Sequence, residues 1–151
     1  MFDDTDRRIL RQLQEDPTIS TAQLADRAGV NAATCWRRLE RLRERGVLRG
    51  ARAVIDWRAL GFTVEVSLRV TLDKTVPRAF EDFAAAAREI PEVLEIQTFL
   101  GQVDVRLGLI ARDLAHYQAL YRDRILTLPH INDLEALMHV ARIKTDETVP
   151  L

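Results

Sequence analysis

The spacing of apolar residues changes once along the chain, near residue 60, and that change constrains the fold more than any other feature. Before it, apolar residues recur three and four apart: Ile9, Leu10 and Leu13, then Cys35, Leu39 and Leu42. Such spacing marks one face of a helix. After it, Thr63 to Leu72 alternates polar and apolar for ten positions, the period of a half-buried strand. A chain of 151 residues makes one domain or two small ones. The expected division is a helical module at 1–50, a wing and linker at 51–62, and an α+β module at 63–151.

Three short helices are predicted in the first part. Asp3 with Asp6 forms a capping-box-like start, and Asp16-Pro17 stops the first helix. Ser20 with Gln23 starts the second, Ile19 and Leu24 can staple it, and Gly29 ends it. Asn31 caps the third, which runs to Gly46. Val47 to Ile55 then reads as a hairpin-like extended segment turning at Gly50. Two short helices joined by a tight glycine-containing turn form a helix-turn-helix, and a basic hairpin behind them makes it winged.

Charge agrees with this only after division. The total is near zero, 22 Lys+Arg against 23 Asp+Glu, which by itself argues against a nucleic-acid partner. Yet Arg27 to Arg58 holds nine arginines and three acids. A local basic block suits a phosphate binder, and it equally suits a solvated helix with i,i+4 ion pairs. The exposed side of the third helix carries Arg37 and Arg41 beside the small Ala33, with Thr34 and Trp36 at its edges. Small residues near a helix N-terminus allow close approach to base edges, while Arg reaches phosphate or guanine. Trp36 is read as packing on the second helix or a partner subunit, or else stacking on a sugar. A three-helix protein-interaction module is the alternative to DNA binding.

Residues 63–151 follow the order strand, helix, strand, strand, helix, strand. Pro77 opens a helix with Phe80, Phe83, Ala84, Ala87 and Ile90 on one side, and Pro91 ends it. Val93–Leu100 and Val103–Leu109 flank a Gly101-Gln102 turn. Asp113 caps a helix that runs to Leu128, and Ile131–Ile143 is extended. This is the ferredoxin-like split βαβ pattern. Both helices should cover one face of the sheet. The other face, with Glu65, Ser67, Arg69, Asp104 and Arg106, is left to meet water or a second copy.

Several functions are not expected. No apolar run reaches the roughly 18 residues of a membrane span. The acidic Met1-Phe2-Asp3-Asp4 start lacks the marks of a signal peptide. A single cysteine, Cys35, suits a reducing cytosol and reads as a buried apolar residue. His116, His130 and His139 are scattered, without metal-ligand spacing. No poised nucleophile and base or phosphate loop is present, so neither catalysis nor a cofactor is expected.

With these pieces in order, the chain resembles the Lrp/AsnC (feast/famine) family of bacterial and archaeal transcriptional regulators. The matching residues are Asp3-x-x-Asp6-Arg7-Arg8-Ile9-Leu10, Ile19-Ser20-x-x-x-Leu24-Ala25, Gly29-Val30-Asn31, and Thr34-Cys35-Trp36-Arg37-Arg38-Leu39-x-x-Leu42. Gly46-Val47-Leu48, Gly101-x-x-Asp104, Leu128-Pro129-x-Ile131-Asn132 and the tail around Lys144 complete the set. The resemblance implies a cytoplasmic homo-oligomer, a dimer assembling further and often an octamer, that binds double-stranded promoter DNA. DNA contacts would fall on Ala33, Thr34, Trp36, Arg37, Arg38 and Arg41, with Arg49 and Arg52 on the wing.

It also implies that the second module is a RAM domain taking a small effector, commonly an amino acid, between dimers. The corresponding positions are Gly101, Gln102, Val103 and Asp104, then Leu137, Met138 and His139, with Leu114 nearby. Asp104 can accept from an ammonium, and backbone amides at Gly101 can meet a carboxylate. The other reading is that Asp104 stabilises its hairpin and that Leu137 and Met138 are core. Two departures stand out: His130 where the family usually has Gly, and His139 where an apolar residue is common. A polar wall there bears on which effector fits and on pH response. An architectural, nucleoid-type DNA binder without effector is the functional alternative.

Overall fold

The computed structural model describes residues 2–144 and 148–151. Residues 145–147, within the tail that carries part of the resemblance, lie outside the described residues. The chain forms two compact units, Met1–Val54 with Lys144–Leu151, and Ile55–Ile143. No helix among the described residues is long and apolar enough to cross a membrane.

The first unit holds α1 (Asp4–Glu15), α2 (Thr21–Ala28) and α3 (Ala32–Glu44). Each starts where a side chain satisfies an orphan amide. Asp3 and Asp6 exchange backbone–side-chain hydrogen bonds at 3.0 and 3.2 Å, Ser20 and Gln23 do the same, and Asn31 Oδ1 accepts from Thr34 N at 2.7 Å. Gly29 takes the left-handed conformation (φ 67°) that lets the chain turn from α2 to α3. Ile9, Leu24, Ala25, Ala28, Cys35, Leu39 and Leu42 make the buried core, and Arg8 Nε donates to Ala28 O at 2.9 Å to join α1 to the end of α2.

Two features differ from the sequence expectation. Val47–Ile55 pairs no strands, so the wing is an exposed, extended segment rather than a hairpin. Only Leu48 of this stretch reaches the core, while Val54 and Ile55 are exposed. A two-stranded hairpin without a covered apolar face is marginal in water. Residues 148–151 lie on α1, where Arg11 Nε donates to Leu151 O at 2.9 Å and Gln14 bonds Val149 through both backbone groups.

The second unit is a four-stranded sheet: β1 (Val64–Leu72), α4 (Ala79–Arg88), β2 (Val93–Thr98), β3 (Val105–Ala111), α5 (Leu114–Leu120) continued by a π-helical turn (Tyr121–Ile125), and β4 (Ile131–Met138). The spatial order is β2-β3-β1-β4 with every pair antiparallel, the ferredoxin-like arrangement. Val66, Leu68, Val70 and Leu72 of β1 and Val105, Leu107 and Leu109 of β3 point into one core with Phe83, Ala87, Tyr117, Leu120 and Ile125 of the helical side. β4 ends at Met138 instead of continuing to Ile143, because its partner runs out. His139 N donates to Glu65 O, and β1 begins at Val64. Val140 and Ile143 beyond it are fully exposed.

Candidate nucleic-acid interface and effector site

On α3 the buried stripe Cys35, Leu39 and Leu42 leaves the opposite side to solvent. Ala33 and Arg37 are exposed there and Thr34 is half-exposed. Trp36 is 59% exposed and stands outside the apolar core. Arg37, Arg49 and Arg52 are exposed. None of the three makes an ion pair or hydrogen bond among the described residues.

Arg38 and Arg41 behave differently. Both reach back to α1. Arg38 pairs with Asp3 and, at 3.2 Å, with Asp6 Oδ1. The Arg41 NH2 group bridges both Asp6 oxygens at 2.8 and 2.6 Å. The Asp6 side chain has no solvent exposure. A buried carboxylate needs charge compensation, and these two guanidinium groups supply it. In this structure both guanidinium groups are engaged by acids of the α1 start, rather than free as a DNA contact on the exposed face would leave them. The helical wheel places Arg41 on the exposed side, but an Arg side chain is long enough to fold back. The Asp6 amide and Arg38 guanidinium hold the Asp3 carboxyl below its ordinary range, and Asp3 in turn raises Arg38. Of the remaining cations, Arg43 pairs with Glu40, and Arg45 sits 4.7 Å from the centre of the Phe2 ring.

In the second unit the Gly101–Asp104 turn joins β2 to β3. Asp104 Oδ2 accepts from Leu72 N at 2.9 Å, its Oδ1 lies 3.4 Å from Lys74 Nζ, and its backbone N–H donates to Val70 O. Asp104 thus closes the turn onto β1, and an ammonium already faces it. Beside it opens a hollow of about 500 Å³, walled by Leu72, Val76, Ala79, Phe80, Phe99 and Leu100, with Lys74 and Arg78 at its rim. A second hollow, of about 620 Å³, lies by Gly101, Gln102, Arg69, Gln97 and Arg106. Lys74, Arg78, Phe80, Phe99 and Leu100 were not anticipated. Phe80 carried the signal of a core residue, and only the fold brings the Lys74 loop against the β2–β3 turn.

The remaining expected effector residues are elsewhere. Leu137 pairs with Ser67 and Met138 with Val66, whereas Asp104 adjoins Val70. Along β1 these positions lie three and four steps from Val70, about 10 and about 13 Å. Leu114 opens α5 just beyond Ala111, the residue opposite Val64, at the far end from Asp104. Leu114 is therefore not near the turn, and the expected effector residues fall into two separate groups within one chain. His139 does not face the hollow either. Its Nε2 is 2.9 Å from Ser67 Oγ and its Nδ1 is 3.4 Å from Glu65, on the sheet face that no helix covers. Arg106 completes that face by contacting Ser67, Gln97 and Glu95. His130 adopts φ 62°, a left-handed backbone that a Gly would take without strain, and its Nε2 lies 3.2 Å from Asp82.

Residues 2–49 match a model of winged helix-turn-helix DNA-binding domains, and residues 65–149 match the Lrp/AsnC ligand binding domain. The chain belongs to the Lrp/AsnC family of transcriptional regulators. It is 31% identical over 143 residues to the leucine-responsive regulatory protein of Salmonella typhimurium, covering 95% of this chain and 87% of that one. Among solved structures, a Neisseria meningitidis transcriptional regulator in complex with L-methionine superposes with a TM-score of 0.91 at 28% identity, covering 99% and 97% of the two chains. An AsnC family regulator from Agrobacterium tumefaciens gives 0.88 at 32%, with the same coverage. This member of the family is thus a DNA-binding transcriptional regulator with a ligand-binding module.

Proposed function

We propose that this Lrp/AsnC-family regulator binds promoter DNA as a homo-oligomer and alters its assembly or half-site spacing when an amino acid binds. The observation that carries the reading is the division of labour among the α3 arginines. Arg38 and Arg41 are held by Asp6, while Arg37 stands unpaired beside Ala33 on the exposed face. Arg37 with Ala33 and Thr34 would meet base edges, Trp36 would flank them, and Arg49 and Arg52 would contact phosphates.

The effector fits the hollow beside Asp104. Its ammonium would displace Lys74 from the carboxylate, and its side chain would lie against Phe80, Phe99 and Leu100. Leu114, Leu137, Met138 and His139, at the far end of the sheet, would serve the same site only if a second copy supplied them. That geometry favours an assembly larger than a monomer, a dimer and beyond it an octamer. The uncovered sheet face offers the surface for it. A bacterial or archaeal cytoplasm suits the DNA partner and the single Cys35, and the work is binding rather than turnover. A ligand of this kind acts through its differential affinity for two states, typically about 1–3 kcal/mol.

The test combines calorimetric titration with each of the twenty amino acids and sedimentation with and without the responder. A heat of binding accompanied by a change in oligomer size or in DNA affinity is expected. A monomer at micromolar concentration that ignores every amino acid would defeat the reading.

A further inference from the structure

We infer that Trp36 reads thymine through the C5-methyl group, making it a sequence-determining residue of α3. The inference rests on α3 being the DNA-reading helix and names what one of its residues recognises. Every other apolar residue of α3 larger than Ala is buried, Cys35 and Leu42 completely and Leu39 to 4% exposure, yet Trp36 is 59% exposed. On the helical wheel Ala33, one turn earlier, lies between Trp36 and Arg37, so the indole flanks the face that Ala33 and Arg37 share. Ala33 has no bulk to hold the helix away from a surface. Arg37 brings an unpaired positive charge, and Glu40, next along this face, has its charge met by Arg43. The N-terminal half of this face, with Ala33 and Arg37, is therefore attractive to a polyanion. Arg49 and Arg52 follow in the exposed segment behind the helix.

Single exposed apolar residues are ordinary, so position decides the matter. A helix lying in the major groove faces base edges. The apolar group displayed there is the thymine methyl, and the rest of each edge is hydrogen-bonding atoms. An indole face flanked by Ala33 matches that methyl, while Arg37 on the other side of Ala33 matches guanine O6 and N7 or a phosphate. The expected preference is a thymine adjacent to the base pair or phosphate that Arg37 contacts.

Deoxyuridine differs from thymidine only by this methyl, which makes the test direct. Duplexes are first selected from a random pool with the wild-type protein. Each thymine of the selected site is then replaced singly by deoxyuridine, and the affinity is measured by fluorescence anisotropy at fixed salt. The wild type should lose about fourfold at one thymine per half-site, the effect of one buried methyl-sized group. Trp36→Ala should bind the thymine and uracil duplexes equally at that position, and Trp36→Leu should retain part of the discrimination. Because Trp36 lies outside the core, both variants should melt with the wild type. Wild-type indifference to uracil at every position overturns the inference and leaves DNA binding standing. So does an unchanged uracil penalty in Trp36→Ala, or a shift in oligomer size as its main effect, which would make Trp36 a subunit contact. Failure to select any duplex overturns the DNA reading as well.

Discussion

Arg41 and Asp6 face each other between α3 and α1, with the guanidinium 2.6 Å from a carboxylate that has no exposure to solvent. Arg38 approaches the same carboxylate at 3.2 Å. This triad gives the helix-turn-helix unit an internal charge lock, and it changes how substitutions on α3 should be interpreted.

Replacing both Arg38 and Arg41 with Ala leaves Asp6 buried and uncompensated. The double variant should lose about 3 kcal/mol of stability, the low end for a broken buried pair because Arg41 is itself 40% exposed. Chemical denaturation followed by two probes checks this, since two units need not unfold together. Weak DNA binding by this variant would then reflect the fold, and unchanged stability would refute the lock.

Arg37→Ala is the clean counterpart. The side chain is exposed and holds nothing in place, so the melting temperature should not move. DNA affinity should fall by about 1–3 kcal/mol if Arg37 reads guanine. If it meets a phosphate, the slope of log affinity against log salt should shrink by about one. Salt-dependent anisotropy titrations separate the two. Unchanged affinity would remove Arg37 from the interface.

Lys74→Ala removes the ammonium that faces Asp104 Oδ1 at 3.4 Å. If an effector's ammonium competes for that place, the variant should bind the effector severalfold more tightly, in keeping with about 0.2–1 kcal/mol for an exposed pair. Calorimetry reads this directly. Weaker binding would instead assign Lys74 to the effector's carboxylate.

Acid should destabilise the protein through Asp3, Asp16 and Asp73, whose carboxyls are held below the usual 3.8. The Asp6 amide with Arg38 does this for Asp3, Thr18 for Asp16 and Thr75 for Asp73. A folded-state value below the unfolded one means that the unfolded chain binds protons first. Their stabilisation is present above about pH 4 and is lost as pH falls through the folded values. Asp3→Asn should flatten the lower limb of a melting-temperature profile between pH 5 and 2. An unaltered profile would count against the Asp3 contribution.

His130→Gly should stabilise the second unit. The left-handed backbone costs an L-residue about 1–2 kcal/mol, and Gly avoids that cost while giving back about 0.5–1 kcal/mol in unfolded-chain entropy. The exposed contact to Asp82 that is lost contributes little. Thermal melting should show a gain of about 0.5 kcal/mol. A clear loss would mean that the His130–Asp82 contact outweighs the backbone strain.

Several elements are legible in the sequence alone. Asp3 with Asp6, Ser20 with Gln23, and Asn31 announced three helix starts, and Gly29 announced the turn between the last two. The alternation from Val64 to Leu72 announced β1 and its inward face. The extended segment at Val47–Ile55 shows the limit of such reading. Its residues suit a strand, yet strand pairing needs a partner and a covered face, and neither is a property of the segment alone.

The candidate sites divide in the same way. The sequence by itself determined the element order, the helix caps, the inward faces and the placing of basic residues near α3, because these follow from spacing over a few residues. Only the tertiary structure decided that Arg38 and Arg41 turn inward to Asp6 while Arg37 stays free. It also decided that Asp104 and His139 lie at opposite ends of one sheet, and that Lys74 sits against Asp104. Those outcomes depend on strand register and on long side chains meeting residues some 30 positions away. Such encounters are settled by burial and charge compensation between elements, which no local period encodes.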